Sequence, residues 1–123
     1  PSAVNMGNPH CIFFVEDVAA HKLEIFGPMI ENHPIFPDRA NVSLAEVKGR
    51  RLIRLRVWER GAGVTKACGT AACAAVVAAN RRRLTDRKVS VELDGGLLAV
   101  EWRDDDHVIM TGPYQLDYEG ILP

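Results

Sequence analysis

An alanine-rich segment without a charged side chain spans residues 68–80, and Arg81 ends it. A helix built from this segment is apolar on all sides rather than along one stripe, so the helix must be buried. Its small side chains allow strands to approach closely from several directions. The segment therefore predicts an α+β fold in which a curved, barrel-like mixed sheet wraps around a central apolar helix.

The strands of that sheet are predicted from short runs of β-branched and aromatic residues and from alternating apolar and polar positions. They lie at 11–15, 41–47, 53–58, 89–93, 97–102, 108–111 and 114–118, which makes about seven strands. In the run 53–58, apolar residues alternate with Arg54 and Arg56, and we expect these two arginines to face solvent.

A second helical region is predicted between Asp17, a favourable N-cap residue, and Asn32. We expect two short helical pieces, because Gly27-Pro28 interrupts the pattern and proline can start a new helix. Apolar side chains at helical spacing in this region are expected to lie in the core. They are Ile25, Phe26, Met29 and Ile30.

The charge and the cysteine count exclude several classes of protein. A net charge of −1 gives no basis for binding nucleic acid or a membrane, and the basic run at 81–83 has no aromatic platform beside it. Three irregularly spaced cysteines argue against a disulfide framework and favour a reducing compartment, the cytoplasm. No apolar run approaches the roughly 20 residues that span a bilayer. We expect a single domain, residues 1–123, that is part of a longer chain.

Cys68 is the strongest candidate for a catalytic group because it stands at the start of the apolar helix. Unpaired N–H groups and the positive end of the helix dipole stabilise a thiolate there. The pKa of Cys68 is therefore expected to fall below the usual value of about 8.5, with its thiol open to solvent. Burial as a small hydrophobic residue is the alternative, and we expect it for Cys11 and Cys73. No metal site is predicted, because Cys68 and Cys73 face different sides of a helix.

The loop before the helix adds groups that suit an amino-acid ligand. Glu59 and Arg60 emerge at the end of a strand, and Gly61 and Gly63 follow them. A carboxylate and a guanidinium on a glycine-rich loop can bind the two ends of a zwitterion. No lysine lies in a context that favours a pyridoxal cofactor.

These motifs resemble the C-terminal half of the diaminopimelate epimerases. The resemblance is carried by Trp-Glu-Arg-Gly-Ala-Gly at 58–63, Ala-Cys-Gly-Thr-Ala-Ala-Cys-Ala-Ala at 67–75, Met-Gly-Asn-Pro-His-Cys at 6–11, Phe36-Pro37 and Asn41-Val42. It covers most of the chain, with one departure, since Ala71 stands where the family usually has glycine. It implies an isomerase that converts LL- to meso-diaminopimelate, a precursor of lysine and peptidoglycan, without a cofactor.

The resemblance also implies roles for individual residues. Cys68 is one of two acid/base thiols on opposite faces of the substrate α-carbon, and the backbone of Gly69 and Thr70 binds the reacting carboxylate. The residues implied at the distal end of the substrate are Asn8, Asn41, Glu59 and Arg60. His10 lies in the site close to Glu59. The second thiol belongs to an N-terminal domain that this chain lacks, so the isolated chain is expected to be inactive, and a homodimer is left open.

Three other interpretations remain open. A proline-racemase-like racemase also uses two acid/base thiols. Its acidic residue, however, lies much nearer the cysteine in sequence than Glu59 lies to Cys68. A phenazine-biosynthesis-type isomerase lacks the cysteine. A ligand-binding or assembly domain with no turnover of its own is the third.

Overall fold

The structure, a computed structural model, describes residues 2–36, 39–65, 68–112 and 120–122. Its strands are β1 Ser2–Asn5, β2 Pro9–Phe14, β3 Asn41–Gly49, β4 Leu52–Glu59, β5 Gly63–Thr65, β6 Lys88–Leu93, β7 Gly96–Trp102, β8 Val108–Thr111 and β9 Gly120–Leu122. Its helices are a 3₁₀ helix at Val18–Ala20, α1 at Leu23–Glu31 and α2 at Gly69–Arg81. The strand predicted at 114–118 lies outside the described residues.

The described strands form one mixed sheet. Their order is β1-β2-β3-β4-β6-β7-β8-β9, and the short β5 pairs with the end of β4. The pairs β2–β3 and β4–β6 are parallel, and the other pairs are antiparallel. Helix α2 contacts strands from β1 on one side to β8 on the other, so the sheet curls around it. The predicted mixed sheet around a central helix is confirmed, and β1 and β5 are short strands that the sequence patterns did not indicate.

Helix α2 is buried along most of its length, as its composition predicts. Residues 71–79 are all buried, and Val77, at 5%, is the most exposed of them. Inward-facing side chains of β4, including Ile53, Leu55 and Val57, share the same apolar cluster. Small side chains on α2 let these strands approach closely, and the buried apolar area is the main source of stability.

Helix α1 packs on the outer face of the sheet, and its buried face differs from the predicted one. Its buried residues, spaced by four, are Leu23, Gly27 and Glu31. Ile25 and Met29 are 58% and 68% exposed, so the prediction that they lie in the core was wrong. Phe26 and Ile30 are partly buried against a second apolar cluster that includes Val42.

The close approach of α1 to the sheet explains this difference. A Cβ atom at Gly27 would lie 2.6 Å from the ring of Trp58, so only glycine fits there. The two helical pieces are confirmed, but the break falls at His21 and Lys22, and Pro28 lies inside α1. The sequence pattern placed the break wrongly because it took Gly27 as a helix breaker rather than as a packing position.

The prediction that Arg54 and Arg56 face solvent was also wrong. Both side chains are only partly exposed, because other elements cover the outer face of β4. Arg56 Nη1 donates to the carbonyls of Val18 at 3.1 Å and His21 at 3.2 Å, and Arg54 Nη1 donates to that of Leu55 at 2.8 Å. Arg56 therefore satisfies carbonyl groups of the covering 3₁₀ segment, and Arg54 satisfies a carbonyl of its own strand. Among the described residues, no helix is long and apolar enough to cross a membrane.

Candidate active site at the start of the central helix

Several elements bring the predicted site residues to one edge of the sheet. The parallel strands β2 and β3 begin there, with His10 paired opposite Asn41, and the antiparallel strand β4 ends there at Glu59. Helix α2 begins beside them, with Cys68 as its N-cap residue in an extended conformation. All predicted site residues are described, and they are Asn8, His10, Asn41, Glu59, Arg60, Cys68, Gly69 and Thr70.

The environment of Cys68 differs from the expected one. The residue is buried, with 7% of its surface exposed, and its Sγ lies 3.6 Å from Thr70 Oγ1. Burial raises the pKa of the Cys68 thiol above its ordinary value. The Thr70 hydroxyl and the Ala71 N–H oppose this, whereas Glu59 raises the pKa further. The predictions of a lowered pKa and an exposed thiol were wrong, because desolvation outweighs the helix terminus.

Glu59 acts on Cys68 in the folded chain, an interaction that sequence reasoning did not identify. The Glu59 carboxylate raises the pKa of Cys68 both as a hydrogen-bond acceptor and by its negative charge. A thiol and a carboxylate that interact in this way are suited to exchange a proton. Glu59 ends β4 and Cys68 precedes α2, with β5 between them in sequence, so only the folded chain brings the two residues together.

Two further predicted residues pair with each other across the Asn8-Pro9-His10 turn. The imidazole of His10 is 1% exposed, and its Nε2 lies 3.0 Å from Asn8 Oδ1. Burial, followed by the positive charge of Arg60, lowers the pKa of His10 to about 4. The ring is therefore neutral at pH 7, and its Nδ1 has no hydrogen-bond partner among the described residues.

Asn41 connects two loops of the site through its side-chain amide. Its Oδ1 accepts from the backbone N–H of Arg60 at 2.7 Å, and its Nδ2 donates to the carbonyl of Pro9 at 3.2 Å. A primary amide has two lone pairs and two N–H groups, so one of each remains for a ligand. Asn41 thus fixes the relative position of Arg60 and the turn that carries Asn8 and His10.

The start of α2 leaves backbone donors beside the thiol. Gly69 and Thr70 occupy the first helical positions, where N–H groups have no partner within the helix. A Cβ atom at Gly69 would lie 2.8 Å from the end of the flexible Met110 side chain, which would have to shift to admit it. Ala71 is fully buried, and its methyl group is accommodated beneath this turn.

Arg60 also lines an open cavity of about 380 Å³ next to the turn. The other residues that line it are Asn5, Gly7, Pro9, Ile35, Phe36 and Arg39. Two guanidinium groups in one cavity favour an anionic ligand. Within the described ranges, no group of three or more His, Cys, Asp and Glu side chains could hold a metal ion.

Sequence reasoning also missed Glu31, whose carboxylate reaches the loop that carries Glu59 and Arg60. Its Oε2 accepts from the backbone N–H of Gly61 at 3.3 Å. A signal was available, because Glu31 is an acidic residue at the C-terminal end of a helix, where a basic residue is favoured.

Comparison with sequences of known proteins gives a consistent result. The sequence model of the family described as diaminopimelate epimerase matches residues 2–116. A diaminopimelate epimerase of Nitrobacter hamburgensis is 62% identical over 123 residues, which cover 99% of this chain and 42% of that protein. One from Methylorubrum extorquens is 64% identical with the same coverage. The chain therefore spans about two fifths of the length of these relatives.

Solved structures with a similar fold carry a different name. A phenazine biosynthesis protein of the PhzF family from Bacillus anthracis matches with a TM-score of 0.59 and 21% identity, over 86% of this chain and 34% of that one. A putative phenazine biosynthesis PhzC/PhzF protein from Clostridium difficile matches with a TM-score of 0.58 and 20% identity, over 82% and 36%. At this level of identity the likeness concerns the fold alone.

Proposed function

We propose, since the chain belongs to the diaminopimelate epimerase family, that it supplies one side of an active site that interconverts LL- and meso-diaminopimelate without a cofactor. The observation that carries this proposal is the position of Cys68, which caps α2 with its thiol beside the Thr70 hydroxyl and close enough to the Glu59 carboxylate for Glu59 to raise its pKa. An acid/base thiol needs a proton acceptor and anion-binding donors close by, and both lie next to Cys68.

Inversion at an α-carbon requires one group to remove the proton from one face and another to deliver a proton to the opposite face. Cys68 is one of these groups. Cys11 and Cys73 are poor choices for the other, because Cys11 lies inside the core strand β2 and Cys73 lies within the buried helix α2, on a different side from Cys68. The second thiol therefore belongs to a further domain of a longer protein, as the length of the relatives suggests.

When Cys68 acts as the base, the Glu59 carboxylate takes the thiol proton, and the resulting thiolate removes the α-proton of the substrate. The second thiol then gives its proton to the opposite face of the carbanion. In the reverse direction, the Cys68 thiol donates to the carbanion and regains a proton from Glu59. Because its resting pKa is raised, Cys68 starts as a thiol, which suits the acid role directly.

The backbone N–H groups of Gly69 and Thr70 bind the substrate α-carboxylate. Negative charge on this carboxylate grows as the α-proton leaves, and the helix N-terminus stabilises it. At the distal end, the Arg60 guanidinium binds the second carboxylate, and Asn8 and Asn41 bind the distal amino-acid group. The neutral His10 supports this region by fixing Asn8.

We place the enzyme in the cytoplasm, where it serves the synthesis of lysine and peptidoglycan precursors, and a homodimer is compatible with this role.

The test uses LL-diaminopimelate with the full-length protein and, separately, with the 123-residue chain, after dialysis against a chelator and in the presence of a carbonyl-trapping reagent. We expect the full-length protein to form meso-diaminopimelate and the chain alone to form none. Turnover by the chain alone would refute the need for a second domain. An inactive full-length protein would refute the proposed epimerase activity.

A further inference from the structure

We propose that Glu31 is a positioning residue, which holds the loop at residues 59–63 in the conformation that binds substrate. The inference rests on the proposed function, because Glu59 and Arg60 on this loop are the proposed partners of the thiol and of the distal carboxylate. Glu31 itself lies on α1, on the outer face of the sheet.

The Glu31 carboxylate has three partners, and two of them belong to the loop or to the residue before it. Its Oε1 accepts from Trp58 Nε1 at 2.8 Å, and its Oε2 accepts from the Gly61 N–H at 3.3 Å. Arg39 Nη1 lies 3.1 Å from the same Oε2. One carboxylate therefore links both sides of the Glu59-Arg60 pair to helix α1.

Two physical costs make this arrangement unusual for a residue that serves only helix stability. The Glu31 side chain is 6% exposed, and a buried carboxylate loses hydration. It also stands in the last turn of α1, where the helix dipole opposes a negative charge. The N–H donors and the Arg39 guanidinium offset these costs, so the carboxylate depends on the loop as much as the loop depends on it.

A second side chain holds the neighbouring amide of the loop. Asn41 Oδ1 accepts from the Arg60 N–H, whereas Glu31 accepts from the Gly61 N–H. Two consecutive peptide groups are thus fixed from two different elements, and Gly61 adopts a positive φ of 77° directly after them. Gly27 lets α1 lie directly against Trp58, which places Glu31 within reach of the loop.

This arrangement predicts that a change at Glu31 acts on substrate binding more than on the chemical step. Arg60 approaches the distal carboxylate only while the loop keeps its conformation, and a small misplacement of a binding group costs up to about a hundredfold in kcat/KM. Glu59 is the last residue of β4 and pairs with Gly63 of β5, so the sheet holds the proposed partner of the thiol, whereas Arg60 lies beyond the strand. The effect of Glu31 should therefore appear in KM rather than in kcat.

The test replaces Glu31 with glutamine in the full-length protein and in the 123-residue chain. The glutamine carbonyl can still accept from Trp58, but its NH₂ group faces the Gly61 N–H and Arg39, which are also donors. Glu24→Gln is the matched control, because Glu24 is an exposed glutamate on the same helix. We expect Glu31→Gln to raise KM for diaminopimelate about tenfold with little change in kcat, and to speed hydrogen exchange at the Gly61 amide, while Glu24→Gln changes neither.

A role in stability alone would lower Tm and leave KM unchanged below Tm, and that result would overturn the proposal, as would unchanged exchange at Gly61. If Glu31→Gln does not fold, Trp58→Phe removes a single partner of the carboxylate and should raise KM about threefold, and an unchanged KM would then refute the proposal. An unsubstituted full-length protein that fails to epimerise would refute the proposed function instead. The exchange rate of Gly61 in the 123-residue chain would still decide whether Glu31 holds the loop.

Discussion

The Sγ atom of Cys68 lies 3.6 Å from the hydroxyl oxygen of Thr70, within the first turn of the buried helix α2. This contact lowers the pKa of the thiol, against the larger effect of burial, which raises it. Thr70 therefore has two proposed roles, since its backbone N–H binds the substrate carboxylate and its hydroxyl adjusts the acidity of Cys68.

Thr70→Val should raise the pKa of Cys68 further, because valine keeps the shape of threonine and removes the hydroxyl. Alkylation of Cys68 by iodoacetamide, followed by peptide mapping across a pH series, measures this pKa. Thr70→Ser, which keeps the hydroxyl, is the control and should react like the parent. An unchanged alkylation profile for Thr70→Val would show that the hydroxyl does not stabilise the thiolate.

Much of the fold could be predicted from local patterns. The uncharged run at 68–80 is apolar on all sides, so it had to be a buried helix, and the alternation at 53–58 placed Ile53, Leu55 and Val57 inside. The face of α1 could not be predicted this way, because its buried positions hold Gly27 and Glu31 rather than Ile25 and Met29. Packing against Trp58, which lies 27 residues further on than Glu31, decided that face.

The electrostatics of the candidate site could not be predicted from the sequence. The family resemblance named its residues, and the loops that carry them lie at one edge of the sheet. The pKa of Cys68 depends on how deeply the strands bury it and on its contact with Glu59, and neither follows from the residues next to Cys68 in sequence. A helix N-terminus stabilises a thiolate only to the extent that desolvation does not outweigh it.

His10→Gln should make the stability of the chain less sensitive to acid. The pKa of His10 is lowered from 6.5 to about 4, so as pH falls through this range the unfolded chain takes up the proton first and folding stability decreases. The loss is complete below the folded-state pKa and amounts to about 3 kcal/mol. Glutamine cannot take up this proton. Urea unfolding at pH 7, 5.5 and 4 measures the difference.

The exposed His33 provides the control for this experiment, since His33→Gln should lose stability in acid as the parent does. If His10→Gln loses as much stability between pH 7 and 4 as the parent, then His10 is not held neutral by the fold.

Cys73→Ala should protect the fold at alkaline pH. Burial raises the pKa of Cys73 from 9.0 to about 12, so between these values the unfolded chain loses its proton first, and stability falls as pH rises. The whole range corresponds to about 4 kcal/mol. From pH 8.5 to pH 11, the free energy of unfolding of Cys73→Ala should rise relative to that of the parent. A constant difference between the two free energies would mean that Cys73 titrates like an exposed thiol.

The most direct test of the account is deuterium incorporation at the α-carbon of diaminopimelate in D₂O, measured with the full-length protein that contains this chain. Cys68→Ala removes the proposed acid/base thiol, and Cys73→Ala, an equally small change five residues along the same helix, is the matched control. We predict that Cys68→Ala slows epimerisation by about a thousandfold or more, whereas Cys73→Ala retains it. Near-parental epimerisation by Cys68→Ala, or its loss in Cys73→Ala with Cys68 intact, would contradict the assignment of Cys68 as an acid/base group.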